Sequence, residues 1–205
     1  MNLANKISNE LDTYEKKHKS ASLVVCGGTS VLKIFKELSK KELNWKNIVI
    51  TVVDDRLVHD SHVDSNELLV KNNLLINNAS EATFLPLSWD ILLHNKIKLP
   101  FTVMLISMAD DGHFASIFPN MLGDKDVANP KGRPEILKTT PQGTPNHARI
   151  TMNLAMILQS KSIFLLVHGK DKLKTLDLAN TDRTLPINRL LMSASSNLII
   201  NRVNK

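Results

Sequence analysis

The sequence predicts a three-layer α/β fold, a mostly parallel sheet with helices on both faces, and three observations carry that prediction. Four short apolar runs, 22–26, 48–53, 101–106 and 163–167, are continuous rather than alternating, as expected of strands covered on both sides. Each run ends on a polar or glycine-containing loop: Gly27-Gly28, Asp54-Asp55-Arg56, the stretch from Ser107 to His113, and His168-Gly169. Helical patterns follow the runs in a repeated strand, loop, helix order. The arrangement is Rossmann-like, and in such open sheets ligands bind beyond the carboxyl ends of the strands. The four loops are therefore expected to converge.

Taken in order, Leu3, Ile7, Leu11 and Tyr14 fall on one face of an amphipathic helix. The run 22–26 is a strand, Gly27-Gly28 a turn, and 31–38 a helix. The second strand, 48–53, is rich in β-branched residues and stops at the charged Asp54-Asp55-Arg56 loop. Asp64 followed by Glu67 reads as a capping box for a helix carrying Leu68, Leu69, Leu74 and Leu75. After the third strand, residues 120–147 hold four of the eight prolines and three of the seven glycines, which predicts a long surface excursion bordering the loops. Arg149 stands at the β-branched start of a predicted helix. The fourth strand, 163–167, leads through Gly169 to a helix over 172–179, and 198–200 is the last strand candidate.

With 205 residues, 42% of them hydrophobic, the chain suits one domain spanning 1–205. Its single cysteine, Cys26, excludes an internal disulfide framework and points to a reducing, cytoplasmic setting. The first seventeen residues mix Asn, Glu, Asp and Lys with spaced apolar positions, and no apolar run approaches the roughly 20 residues of a membrane span, so neither a signal peptide nor a membrane partner is expected. A net charge of +6 favours an anionic partner, although charge alone does not choose between a phosphate metabolite, nucleic acid and nothing specific. Nucleic acid is not that partner on this reading, because the basic residues are scattered, aromatics make up 4%, and no zinc-finger spacing occurs.

Within the loops, Gly27, Gly28, Thr29 and Ser30 offer backbone N–H groups and hydroxyls to an anion at a helix start, or simply make a tight turn. They lack the lysine of a nucleotide-triphosphate loop and the third glycine of a dinucleotide fingerprint. Asp54 can orient a reacting group and Arg56 can fork onto phosphate oxygens; a local salt bridge and helix cap would use the same residues. In Asp111-Gly112-His113 an imidazole on a glycine loop can act as a general base. His18, His59, His62, His94, His147 and His168 show no metal-ligand spacing, although His59 and His62 are near neighbours, and no metal is expected. Arg149 and Lys172 read as ligand contacts or solvated charges, Cys26 as a small buried side chain, and Ser116 as packing or capping.

Together these loops resemble the 6-phosphogluconolactonase family, which shares its fold with glucosamine-6-phosphate deaminases and isomerases. The resemblance spans nearly the whole chain and rests on Cys26 to Ser30, Asp54 to Val58 with Asp64-Ser65-Asn66, Met108 to Pro119, Arg149-Ile150-Thr151, and Gly169 to Lys172, in the family's order. It implies a phosphorylated sugar lactone as the small-molecule partner and a monomer or weak homodimer. No metal or organic cofactor is implied. It further implies phosphate binding by Gly27, Gly28, Thr29, Arg56, Arg149 and Lys172, and a general base at His113 oriented by Asp111 or Asp54. The chain departs from the family pattern at Cys26 (serine), Val31 (proline), Asp55 (glutamate), His59 (proline), and Ser107 and Ala109 (glycines). The deaminase branch carries a glutamate five residues after the histidine, where this chain has Phe118, which favours hydrolysis over isomerisation. A non-catalytic sugar-phosphate sensor is the alternative class; it would be expected to carry a DNA-binding segment, for which the short N-terminal helix leaves no room.

Overall fold

A computed structural model describes residues 2–93, 97–194 and 196–204. Six parallel strands form the main sheet: β1 (Ala21–Val25), β2 (Ile48–Val52), β4 (Thr83–Phe84), β5 (Phe101–Ser107), β8 (Ser160–His168) and β9 (Leu198–Val203), in the order β4-β2-β1-β5-β8-β9. Every residue of β1 is buried, as are the first six of β5. Since successive strand side chains point to opposite faces, both faces of the sheet centre are covered, the expected consequence of continuous apolar runs.

The helix α1 (Leu3–His18) starts at Asn2, whose side chain accepts the Asn5 N–H, and buries Leu3, Ile7 and Leu11 as the spacing predicts. It packs on β1, β5 and α2 (Leu32–Leu38). The helix after β8, α6 (Lys170–Leu178), is also where the sequence places one. Elements that escape that reading include the two-residue edge strand β4, and α7 (Pro186–Ser193), which opens on a proline and buries Ile187 and Leu190.

The chain's path through the sheet runs outward from β1 to β2 and β4, then returns to place β5 on the other side of β1. That reversal makes the carboxyl ends of β1 and β5 a topological switch point, where a crevice opens. The Cys26 N–H still donates to the Leu105 carbonyl at 2.9 Å, so the two strands stay paired up to its rim.

Three expectations need correction. Asp54, Asp55 and Arg56 are not a loop but a strand, β3 (Asp54–Arg56), and Arg149 opens a strand, β7 (Arg149–Met152), not a helix. These two pair antiparallel, with β6 (Ile136–Lys138) on the far side of β7, in a separate three-stranded sheet. The physical reason is a hand-over at Val53: its N–H donates to Val25 in the main sheet, while its carbonyl accepts the Met152 N–H in the small one, each at 2.9 Å. The helix expected at Arg149 begins only after the strand, as α5 (Leu154–Leu158), capped by Asn153 accepting the Met156 N–H. Third, the start of α3 (Asn66–Asn73) is capped by Ser65 rather than Asp64. The 120–147 excursion also carries more structure than expected, with the one-turn helix α4 (Lys125–Ala128) and β6 lying within it.

Candidate active site

A cavity of about 270 Å³ lies at the switch point. Its walls come from the turn after β1 (Cys26 to Ser30), from β3 and β7 (Asp54, Arg56, Arg149), from the loop after β5 (Ser107 to Ala109 and His113 to Ala115), and from Asn66, Thr144 and Lys172. The structure thus brings together all the sequence-predicted residues except Asp111, which stands behind the lining and touches His113.

The loop after β5 is a tight turn built to present an imidazole. Ala109 N–H donates to the His113 carbonyl at 2.9 Å, and Gly112 N–H donates to the Ala109 carbonyl at 3.1 Å. Gly112 has φ +77°, and a Cβ there would come within 3.2 Å of Leu185, so both conformation and packing call for glycine. Ser107 and Ala109, which depart from the expected family pattern, do not need glycine's freedom here, because neither has a positive φ. Asp111 Oδ1 accepts the His113 backbone N–H at 3.1 Å and sits 2.7 Å from His113 Nδ1. This hydrogen bond, with lesser help from the backbone, holds the Asp111 pKa below the usual carboxylate range. An ionised Asp111 favours a proton on Nδ1, and Nε2 bonds to no described residue.

Asp54 is occupied differently. Its Oδ2 accepts the Ser116 hydroxyl at 2.5 Å and lies 3.9 Å from the Arg149 guanidinium. Both charged side chains are buried, and Ser116, read from sequence only as packing or capping, is what satisfies the carboxylate. Burial pulls the Arg149 pKa down, the Asp54 charge opposes that, and Arg56 adds to the lowering.

Asp55 serves the scaffold. Its two oxygens accept N–H groups from Arg56, Asn66 and Glu67 at 2.6–2.8 Å, and Ser65 Oγ donates to it at 3.2 Å. With Ser65 accepting the Leu68 N–H, the first turn of α3 is fully engaged and locked to β3. Burial nevertheless raises the Asp55 pKa.

Asn66 has a role that the sequence reading missed. Its amide donates to the Asp54 carbonyl at 2.8 Å, and its Oδ1 accepts from Arg56. A Cβ at position 27 would lie 1.8 Å from that oxygen, so Gly27 is glycine because Asn66 occupies the space. The only local signal was its place next to the helix cap. Gly143 was likewise missed: at φ +77°, with Arg149 and the Phe118 ring 3.0 Å from where its Cβ would be, it lets the excursion close over the site.

The cationic wall consists of Arg56, Arg149 and Lys172. Arg149 donates to the Pro145 carbonyl at 3.1 Å and lies over Phe118 at 5.5 Å from the ring centre. The Nε atoms of Arg56 and Arg149 are buried and without a hydrogen-bond partner, which suits a site that takes up anionic oxygens. Phe118, behind the cavity lining, also packs against His113 with ring centres 4.4 Å apart. Cys26 donates to Ser107 Oγ at 3.5 Å, and burial pushes its thiol pKa up to about 11, which leaves it unreactive.

Of the other histidines, His59 turns to Asp60 and Ser61 rather than to His62, and His94 lies outside the described residues. No helix among the described residues is long and apolar enough to cross a membrane.

Comparison with known proteins agrees with this architecture. A sequence profile for glucosamine-6-phosphate isomerases/6-phosphogluconolactonase matches residues 1–200. The 6-phosphogluconolactonase of Pseudomonas aeruginosa is 33% identical, over 92% of this chain and 85% of its own length. That of Neisseria meningitidis is also 33% identical, over 92% of this chain and 87% of its own. The crystal structure of a 6-phosphogluconolactonase from Shewanella baltica superposes with a TM-score of 0.85 at 31% identity, covering 98% of this chain and 90% of that one. Fold and sequence therefore agree that the chain belongs to the glucosamine-6-phosphate isomerase/6-phosphogluconolactonase family.

Proposed function

We propose that this chain hydrolyses 6-phospho-D-glucono-1,5-lactone to 6-phosphogluconate, with His113 as the general base. The observation that carries the reading is the Asp111–His113 pair, whose hydrogen bond leaves Nε2 as the free nitrogen of a cavity-lining imidazole. The phosphate rests on the turn Gly27, Gly28 and Thr29, with Arg56, Arg149 and Lys172 supplying charge and the two orphaned Nε donors. Anchoring at that end holds the lactone carbonyl near His113.

His113 Nε2 removes a proton from water as its oxygen bonds to the carbonyl carbon. The resulting oxyanion is stabilised by N–H and cationic groups of the wall. Collapse breaks the ring C–O bond, and the imidazolium returns its proton to the leaving ring oxygen, so the site ends as it began. Asp111 keeps the imidazole in the working tautomer and balances its charge in between; Asp54 positions Arg149 and, through Ser116, the loop beyond His113. A positioned general base contributes roughly 10²–10⁴-fold, enough for an ester already reactive in water. Phe118 supports hydrolysis over ring-opening isomerisation, because a phenyl ring beside the imidazole cannot carry protons. The free, buried thiol of Cys26 fits a reducing cytoplasm.

The test is turnover. Purified chain added to freshly formed 6-phosphogluconolactone should speed acid release well above the spontaneous rate and release no ammonia from glucosamine 6-phosphate. Saturable binding of 6-phosphogluconate with no acceleration would instead support a sensor.

A further inference from the structure

We propose that His62, Asp64 and His147 bind one divalent transition-metal ion of the zinc class, at a site outside the catalytic cavity and independent of the hydrolytic reading. The ligand atoms of these three residues all lie within 4.8 Å of one another. His147 Nε2 is 2.8 Å and His62 Nδ1 3.7 Å from the same oxygen, Asp64 Oδ2. Zinc–nitrogen and zinc–oxygen bonds of roughly 2.0–2.2 Å set tetrahedral ligand atoms about 3.3–3.6 Å apart, so small side-chain adjustments complete the triangle. The two imidazole rings meet edge to face with centres 5.7 Å apart.

Two imidazoles and one carboxylate form a donor set for zinc, nickel, cobalt or copper rather than for magnesium or calcium, which prefer oxygen. The side chains are 29–43% exposed, so water can enter and take the remaining coordination position. In the metal-free arrangement His147 Nε2 and Asp64 Oδ2 are hydrogen-bonded to each other, a contact that a metal ion would replace. His62 Nδ1 accepts the Asp64 backbone N–H at 3.1 Å, a contact a metal would displace. Arg56 also acts on Asp64 and opposes a cation, which moderates affinity without removing the donors.

The location gives the site a consequence. Beyond the Arg56–Arg149 pair of the β3–β7 ladder, Leu57 N–H donates to the Ala148 carbonyl at 2.8 Å. His62 and Asp64 lie on the strand-to-helix connection leaving β3, and His147 lies immediately before Ala148. A bound ion would clip together the two arms that carry both arginines. Sequence spacing could not show this, since His62 and His147 are far apart in the chain.

The experiment uses tag-free full-length chain stripped with chelator, titrated with Zn²⁺ by calorimetry and with Co²⁺ by visible absorption, with thermal melting alongside. We expect one equivalent bound, ligand-field bands on Co²⁺ addition, and a raised Tm. In His62→Ala and His147→Ala, binding should weaken at least about tenfold, the scale of losing one of three ligands, while His113→Ala binds as the parent does. Should His147→Ala fail to fold, His62→Ala in its exposed loop carries the test. No binding with metal in large excess, parent-like binding by a folded His62→Ala, or binding lost with His113 would each overturn the site.

Discussion

Asp111 Oδ1 lies 2.7 Å from His113 Nδ1, while the other carboxylate at the site, Asp54, bonds Ser116 and faces Arg149. Two carboxylates that read alike in sequence thus have separate surroundings. Replacing Asp111 by Asn keeps size but no longer fixes the proton on Nδ1. Because Asp111 is about half exposed, the loss should stay at roughly 10–100-fold in kcat with KM little changed. Steady-state kinetics of Asp111→Asn check this; a rise in KM alone would place Asp111 in substrate binding.

Lys172 bonds to no described residue, and its ammonium is proposed to meet the phosphate. Lys172→Ala should raise KM roughly 10–100-fold, the scale of one charge-assisted contact, with a smaller effect on kcat. The same variant acting on an unphosphorylated lactone should match the parent; equal losses on both substrates would contradict phosphate anchoring.

Gly27→Ala forces a methyl into the place of Asn66 Oδ1, and Asn66 cannot retreat without releasing Arg56 and the Asp54 carbonyl. The expected cost is about 2–4 kcal/mol, combining overpacking with a disrupted buried hydrogen bond. At this chain length that is a Tm lower by roughly 5–15 °C, measurable by calorimetry. A Gly27→Ala protein melting with the parent would contradict the close approach.

Cys26 provides a pH test. Its buried thiol is raised from 9.0 to about 11, so the folded state holds its proton where the unfolded state loses it. The associated stability is therefore complete below about pH 9 and declines as pH rises towards 11, by on the order of 3 kcal/mol. Cys26→Ser lacks that titration, so denaturant unfolding of the two proteins across this range should show the parent falling more steeply. Parallel curves would mean that the thiol is not shielded.

These particulars show what was legible in the sequence. β1, β5 and β8 could be read because strands covered on both sides must be continuously apolar, and the loops at their carboxyl ends located the cavity. β3 and β7 could not: Asp54, Asp55 and Arg56 have poor strand propensity, and they form a strand only because Ile150 and Thr151 arrive from a distant part of the chain. Asn66 and Gly143 escaped for the same reason, since their meaning lies in which remote side chain fills the space beside them.

The most direct measurement is kcat/KM for 6-phosphogluconolactone hydrolysis by His113→Ala beside the parent, with folding verified by circular dichroism. Loss of the general base should lower the rate roughly 10²–10⁴-fold while 6-phosphogluconate still binds. A folded His113→Ala protein that hydrolyses the lactone at the parent's rate would remove His113 from the chemistry and contradict the account.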